Sequence, residues 1–132
     1  MLPKLNKLCL SRLGFDNSCL VELAQAVVNL PFLEHLDISA NGIDAPSFCN
    51  FFDTIDKQNQ LRSLNISFNN CSKSGTSLKV KIADFLHYSS SLIHFDMGNL
   101  SLKFQDYKHI IERGVRKSKT LLAIHLSGMG LQ

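Results

Sequence analysis

The sequence repeats itself, and that constrains it more than any other feature. Five eleven-residue blocks align without gaps: LNKLCLSRLGF from Leu5, LEHLDISANGI from Leu33, LRSLNISFNNC from Leu61, LIHFDMGNLSL from Leu92 and LLAIHLSGMGL from Leu121. Successive blocks start 28, 28, 31 and 29 residues apart. The first, fourth, sixth and eleventh positions are apolar throughout. The fourth positions are Leu8, Leu36, Leu64, Phe95 and Ile124, the sixth Leu10, Ile38, Ile66, Met97 and Leu126, and the eleventh Phe15, Ile43, Cys71, Leu102 and Leu131. A unit of this length cannot bury its apolar face alone. Stacked copies bury a continuous core, so the period predicts a one-dimensional stack.

Between the blocks the apolar period changes to that of a helix. Leu20, Leu23, Ala24 and Val27 form one set, and Phe48, Phe51, Phe52 and Ile55 a second. Ile82, Phe85 and Leu86 form a third, and Tyr107, Ile110, Ile111 and Val115 a fourth. Asp44 and Pro46 stand where a cap and a first-turn proline would open the second helix. The longer third spacing is assigned to a polar insert, Ser72 to Ser77, before the third helix.

The order LxxLxL, a polar stretch and then a second apolar segment resembles the leucine-rich repeat family over essentially the whole chain. The 28–29-residue period resembles its ribonuclease-inhibitor-like class, one short strand and one full helix per repeat. The resemblance implies an α/β solenoid of about four and a half repeats, residues 1–132 forming a single domain. Parallel strands would line the concave side and helices the convex side. Family repeats often place Asn at the ninth position, where it bonds the turn. Asn41 and Asn69 match, whereas Leu13, Leu100 and Met129 do not, so three turns are expected to lack that bond and to be looser. Neither end reads as a capping repeat, so the segment is expected to belong to a longer solenoid or a larger assembly.

Alternation along a strand sends the fourth and sixth residues into the core and the third, fifth and seventh to the concave surface. The third row is Lys7, His35, Ser63, His94 and Ala123, and the fifth is Cys9, Asp37, Asn65, Asp96 and His125. The seventh is Ser11, Ser39, Ser67, Gly98 and Ser127. Lys7, Cys9, His35, Asp37, Ser63, Asn65, His94, Asp96 and His125 are the candidate partner-binding residues. His35 shares a strand face with Asp37, and His94 with Asp96. These pairs stand about 10 Å apart, two rungs, which does not bring three or four metal ligands to one point.

Charge is uneven. Residues 1–72 hold five basic and seven acidic side chains, and residues 73–132 hold nine and four, within a net charge of +3. Arg113, Arg116 and Lys117 are read as a basic patch closing the fourth helix on the convex side, where cations offset the helix dipole or meet an acidic partner. The small net charge and the absence of aromatic residues among the basic ones argue against nucleic acid. No apolar run approaches the roughly 18 residues of a membrane span, and no apolar signal-peptide stretch opens the chain, so a cytoplasmic setting is expected. Cys9, Cys19, Cys49 and Cys71 form no CxxC pair and read as free thiols. An open sheet offers no water-excluding pocket, and no nucleophile elbow or phosphate-cradling loop occurs, so neither an enzyme nor a cofactor is expected.

The resemblance implies a protein-interaction scaffold that binds through the concave strands and adjacent loops. Two other classes stay open. Ran-type GTPase-activating proteins use the same repeats, and Arg12 is the arginine in a strand-to-helix loop. Cytoskeletal components, tropomodulin-like or ciliary, are the other.

Overall fold

The computed structural model describes residues 4–14, 16–56, 58–72 and 75–128. The expected apolar positions Phe15 and Leu131, the ninth-position Met129, and Lys73 and Ser74 of the insert lie outside these residues. Each repeat supplies one three-residue strand. β1 is Lys7–Cys9, β2 His35–Asp37, β3 Ser63–Asn65, β4 His94–Asp96 and β5 Ala123–His125. They form one parallel sheet in chain order. Leu8, Leu36, Leu64, Phe95 and Ile124 are direct register partners.

One helix follows each of the first four strands: α1 (Asn17–Val28), α2 (Ala45–Ile55), α3 (Gly75–Tyr88) and α4 (Phe104–Arg113). Each helix packs on the next. The apolar stripes meet the sheet, and the three inner rungs bury their repeat positions almost completely. Leu36, Leu64, Phe95, Ile38, Ile66 and Met97 are at most 2% exposed. The outer rungs are covered on one side, so Leu8, Leu10, Ile124 and Leu126 stay partly exposed. Phe48, Phe51, Phe52, Phe85 and Phe95 form a chain of ring contacts from α2 through α3 to the sheet, with centroids 5.0–6.5 Å apart.

The start of α2 follows its sequence signal, and α1 and α4 have side-chain caps of their own. Asp44 caps α2 by accepting the Ser47 N–H at 3.0 Å, and Pro46 sits in the first turn. Asp16 caps α1; the Ser18 hydroxyl and the Cys19 N–H bond its carboxylate and hold it below the usual aspartate range. Asp106 accepts the Lys103 N–H at 3.2 Å and stands 3.8 Å from Lys79 Nζ on α3, tying α4 to its neighbour.

Two expectations need correction. The Ser72–Ser77 stretch is not all loop. α3 opens at Gly75, so the extra length of that repeat goes partly into a helix of 14 residues, against 11 in α2. The fourth helix ends at Arg113, and its cap Gly114 lies so close to α3 that a Cβ there would stand 2.9 Å from Ala83 Cα and 2.8 Å from the Ile110 carbonyl. A separate 3-10 turn, Val115–Lys117, carries Arg116 and Lys117.

The turns after the strands share a backbone feature that the residue types do not announce. The eighth residue of every block is left-handed: φ is +59° at Arg12, +56° at Ala40, Phe68 and Asn99, and +71° at Gly128. Each of the first four donates its N–H to the seventh-position carbonyl of the next rung, at 2.7–3.2 Å. The ladder therefore continues past the strands while the chain turns away from the sheet. Such a φ costs an ordinary residue about 1–2 kcal/mol. Phe68 is 62% exposed, so its ring contributes little packing. Phe68→Gly is expected to stabilise the fold by roughly 0.5–1 kcal/mol, after allowing for glycine's greater freedom in the unfolded chain. A urea midpoint that moves down would show that the ring is held by contacts worth more than the strain.

Candidate functional site

The sheet face away from the helices carries the third and fifth rows. His35 and Ser63 are half-buried on the third row, and Lys7, His94 and Ala123 are exposed. On the fifth row Asp37, Asn65 and Asp96 are half-buried, and Cys9 and His125 exposed. A hollow of about 220 Å³ opens on this face between β1 and β4. Lys7, His35, Asp37, Ser63, Asn65 and His94 line it over a floor that includes Leu8 and Leu36.

The three inner positions of the seventh row do not join this surface, contrary to expectation, whereas Ser11 is half-buried and Ser127 exposed. Ser39 and Ser67 are 8% and 4% exposed, and Gly98 is buried. The Ser39 hydroxyl folds back to donate to Asp37 Oδ1 at 2.6 Å, and the Ser67 hydroxyl donates to Asn65 Oδ1 at 2.6 Å. The same oxygens accept the Ser39 and Ser67 N–H groups at 2.9 Å, and Asp96 Oδ1 accepts the Gly98 N–H at 3.0 Å. One oxygen of each fifth-row acid or amide is thus committed to ending its strand.

The second carboxylate oxygens point across rungs. Asp37 Oδ2 lies 3.8 Å from Cys9 Sγ, and Asp96 Oδ2 lies 3.3 Å from His125 Nδ1. The within-strand pairs of the sequence reading share a face without bonding. Neighbouring rungs are about 4.8 Å apart, whereas alternate residues on one strand are separated by about 6.6 Å, so the cross-rung neighbour is the closer one. Lys7, His35 and His94 make no side-chain hydrogen bond or ion pair among the described residues. Among the described residues the third row therefore presents free donors at Lys7, His35 and His94, and the fifth presents acceptors at Asp37, Asn65 and Asp96 that are already engaged.

Behind this face an asparagine ladder fixes the turns. Asn69 Nδ2 donates to the carbonyls of Ile38, Ile66 and Ser67, and its Oδ1 accepts the N–H groups of Asn41 and Ile43, at 2.9–3.3 Å. Asn41 repeats the pattern one rung earlier, accepting from Leu13 and Gly14. The first turn, expected to lack such a bond because it carries Leu13, therefore borrows one from the next repeat. Leu100 takes the ninth position of the fourth block and is fully buried, replacing the amide by apolar packing.

The sequence reading missed a polar row at the entrance to the strands. Asn6 Nδ2 donates to Glu34 Oε1 at 3.1 Å, and Glu34 Oε2 lies 3.5 Å from Arg62 Nε. All three occupy the second block position, so the 28-residue spacing carried the signal. Arg12 is exposed in its left-handed turn. Arg113, Arg116 and Lys117 are exposed and form no ion pair among the described residues. Cys9 and Cys19 are exposed, Cys49 is half-buried, and burial pushes the Cys71 thiol up to about 12. No group of three His, Cys, Asp or Glu suited to a metal occurs among the described residues. No helix among them is long and apolar enough to cross a membrane.

Parallel strands in chain order, one helix per strand and an asparagine ladder across the turns define an α/β leucine-rich-repeat-type solenoid, with the strands on its concave side and the helices on its convex side. Comparison with solved structures agrees. The chain is similar to the C-terminal domain of tropomodulin from Caenorhabditis elegans, with a TM-score of 0.77 and 17% sequence identity, over 93% of this chain and 74% of that one. No protein-family model matches the chain, and no curated protein matches it.

Proposed function

We propose that this domain is a non-enzymatic interaction scaffold that takes a protein partner on its concave face. The observation that carries this reading is the hollow whose rim sets Lys7, His35 and His94 as unpaired donors beside half-buried Asp37, Ser63 and Asn65. Rows of polar side chains held at fixed intervals by a rigid sheet suit docking of an extended surface. They do not suit chemistry, which needs a nucleophile and base inside a site that excludes water. The Asp96–His125 pair lies in the open, with the imidazole side chain 66% exposed.

A cytoskeletal partner is the reading for the particular protein bound, because the fold is shared with a tropomodulin domain. Arg113, Arg116 and Lys117 would add a second, basic contact for an acidic filament surface. His35→Glu with His94→Glu is expected to weaken cosedimentation with filamentous actin or with microtubules about tenfold or more. Its effect on stability should stay within about 0.5 kcal/mol, since both side chains face the hollow. Pelleting that the double variant leaves unchanged would place the contact elsewhere. No pelleting with either filament would remove the cytoskeletal partner.

A further inference from the structure

We infer that the occupant of the concave hollow is an extended acidic peptide segment, and that protons switch its binding on. This rests on the concave-face reading above and names the chemistry of the partner. The charged side chains on this face are Lys7, Asp37 and Asp96, a net charge of −1 with the histidines neutral. His35, His94 and His125 stand among them, and protonating all three takes the face to +2. Histidine is the side chain that makes this change between about pH 5 and 8.

Each of the two acids spends Oδ1 on its own turn and turns Oδ2 toward Cys9 or His125. The groups that face His35 are Lys7 on β1, Asp37 on its own strand, Ser63 and Asn65 on β3, and the Glu34–Arg62 pair at the strand entrance. Those around His94 are Ser63 on β3, Asp96 on its own strand, and Ala123 and His125 on β5. Among the described residues neither imidazole has a carboxylate bonded to it, which leaves each open to one from outside. His125 already has Asp96.

Spacing supports a strand laid across the rungs. Lys7 and His94 are three rungs apart, about 14 Å, and four residues of extended chain span about 13–14 Å. Carboxylates at alternate positions of such a peptide would meet the third row at Lys7, near His35 and at His94. The hollow, about 220 Å³ and lined mostly by polar residues, is of a size for the side chains of an extended segment.

The test is fluorescence anisotropy with a labelled (Glu-Thr)5 peptide at low salt, with (Lys-Thr)5 as the charge control. At about pH 5.5 the probe carboxylates remain mostly ionised, because glutamate titrates near 4.3. Affinity is expected to rise from pH 7.5 to pH 5.5 by about fivefold for each histidine whose pKa the bound carboxylate raises by one unit. His35→Gln with His94→Gln should flatten this dependence, while His87→Gln with His109→Gln, off the concave face, should keep it. Ser63→Trp, which fills the hollow, should abolish binding with the circular dichroism spectrum retained. No binding at pH 5.5, equal binding at both pH values, stronger binding of the basic peptide, or a pH dependence that survives in the His35/His94 variant would each overturn the inference. A probe that Ser63→Trp displaces but pH does not affect would sink the proton switch and leave the docking surface standing. Proton-linked binding that survives Ser63→Trp would sink both.

Discussion

Asn69→Ala is expected to cost about 3–5 kcal/mol, far more than its small change in volume suggests. Asn69 is 4% exposed and uses all its polar valence on five backbone groups of two adjacent repeats. Truncation leaves the N–H groups of Asn41 and Ile43 without their acceptor and the Ile66 carbonyl without its amide donor. Each such buried group costs about 1–3 kcal/mol. The other two carbonyls keep partners: Ile38 retains Asn41 Nδ2 at 3.2 Å, and Ser67 retains the Ala40 N–H at 3.0 Å. Asn41→Ala provides the internal comparison. Asn41 serves the half-open first turn, where water can replace it, so its loss should stay near 1–2 kcal/mol. Urea unfolding of both variants checks this. Equal losses, or less than about 1 kcal/mol for Asn69→Ala, would mean that the turns relax enough to satisfy themselves.

The residues that sequence reasoning placed well are those whose role is set by the period. Leu36, Leu64 and Phe95 had to be register partners once the blocks aligned, and the outward third and fifth rows followed from alternation along the strand. The capping at Asp44 was legible because a carboxylate before Ala45 and Pro46 has a local mechanism. What escaped was decided between repeats or by tertiary override of type. Ala40 and Phe68 are left-handed although neither residue favours it, because the cross-rung N–H bond holds the turn. Ser39 and Ser67 turned inward because a neighbouring side-chain oxygen was available two residues back. Asp96 found His125 across the rung rather than His94 along it. The break after Arg113 falls at Gly114, whose φ of −113° is not the left-handed cap by which a glycine marks a helix end.

The second large effect distinguishes an open stack from a closed globule. Leu64→Ala is expected to cost about 2–5 kcal/mol. Leu64 is fully buried on the middle strand, between Leu36 on one side and Phe95 on the other, with helices behind. A cavity there loosens two inter-repeat interfaces at once, and in a one-dimensional stack those nearest-neighbour interfaces carry the stability. Leu8 occupies the equivalent position on β1, but among the described residues only β2 pairs with that strand, and Leu8 is partly exposed. Leu8→Ala therefore removes contacts from one interface and leaves a site that water can reach, which should hold its cost below about 2 kcal/mol. Denaturant melts followed by far-ultraviolet circular dichroism measure both. If the two substitutions cost the same, the rungs share one cooperative core and stability does not depend on position along the stack.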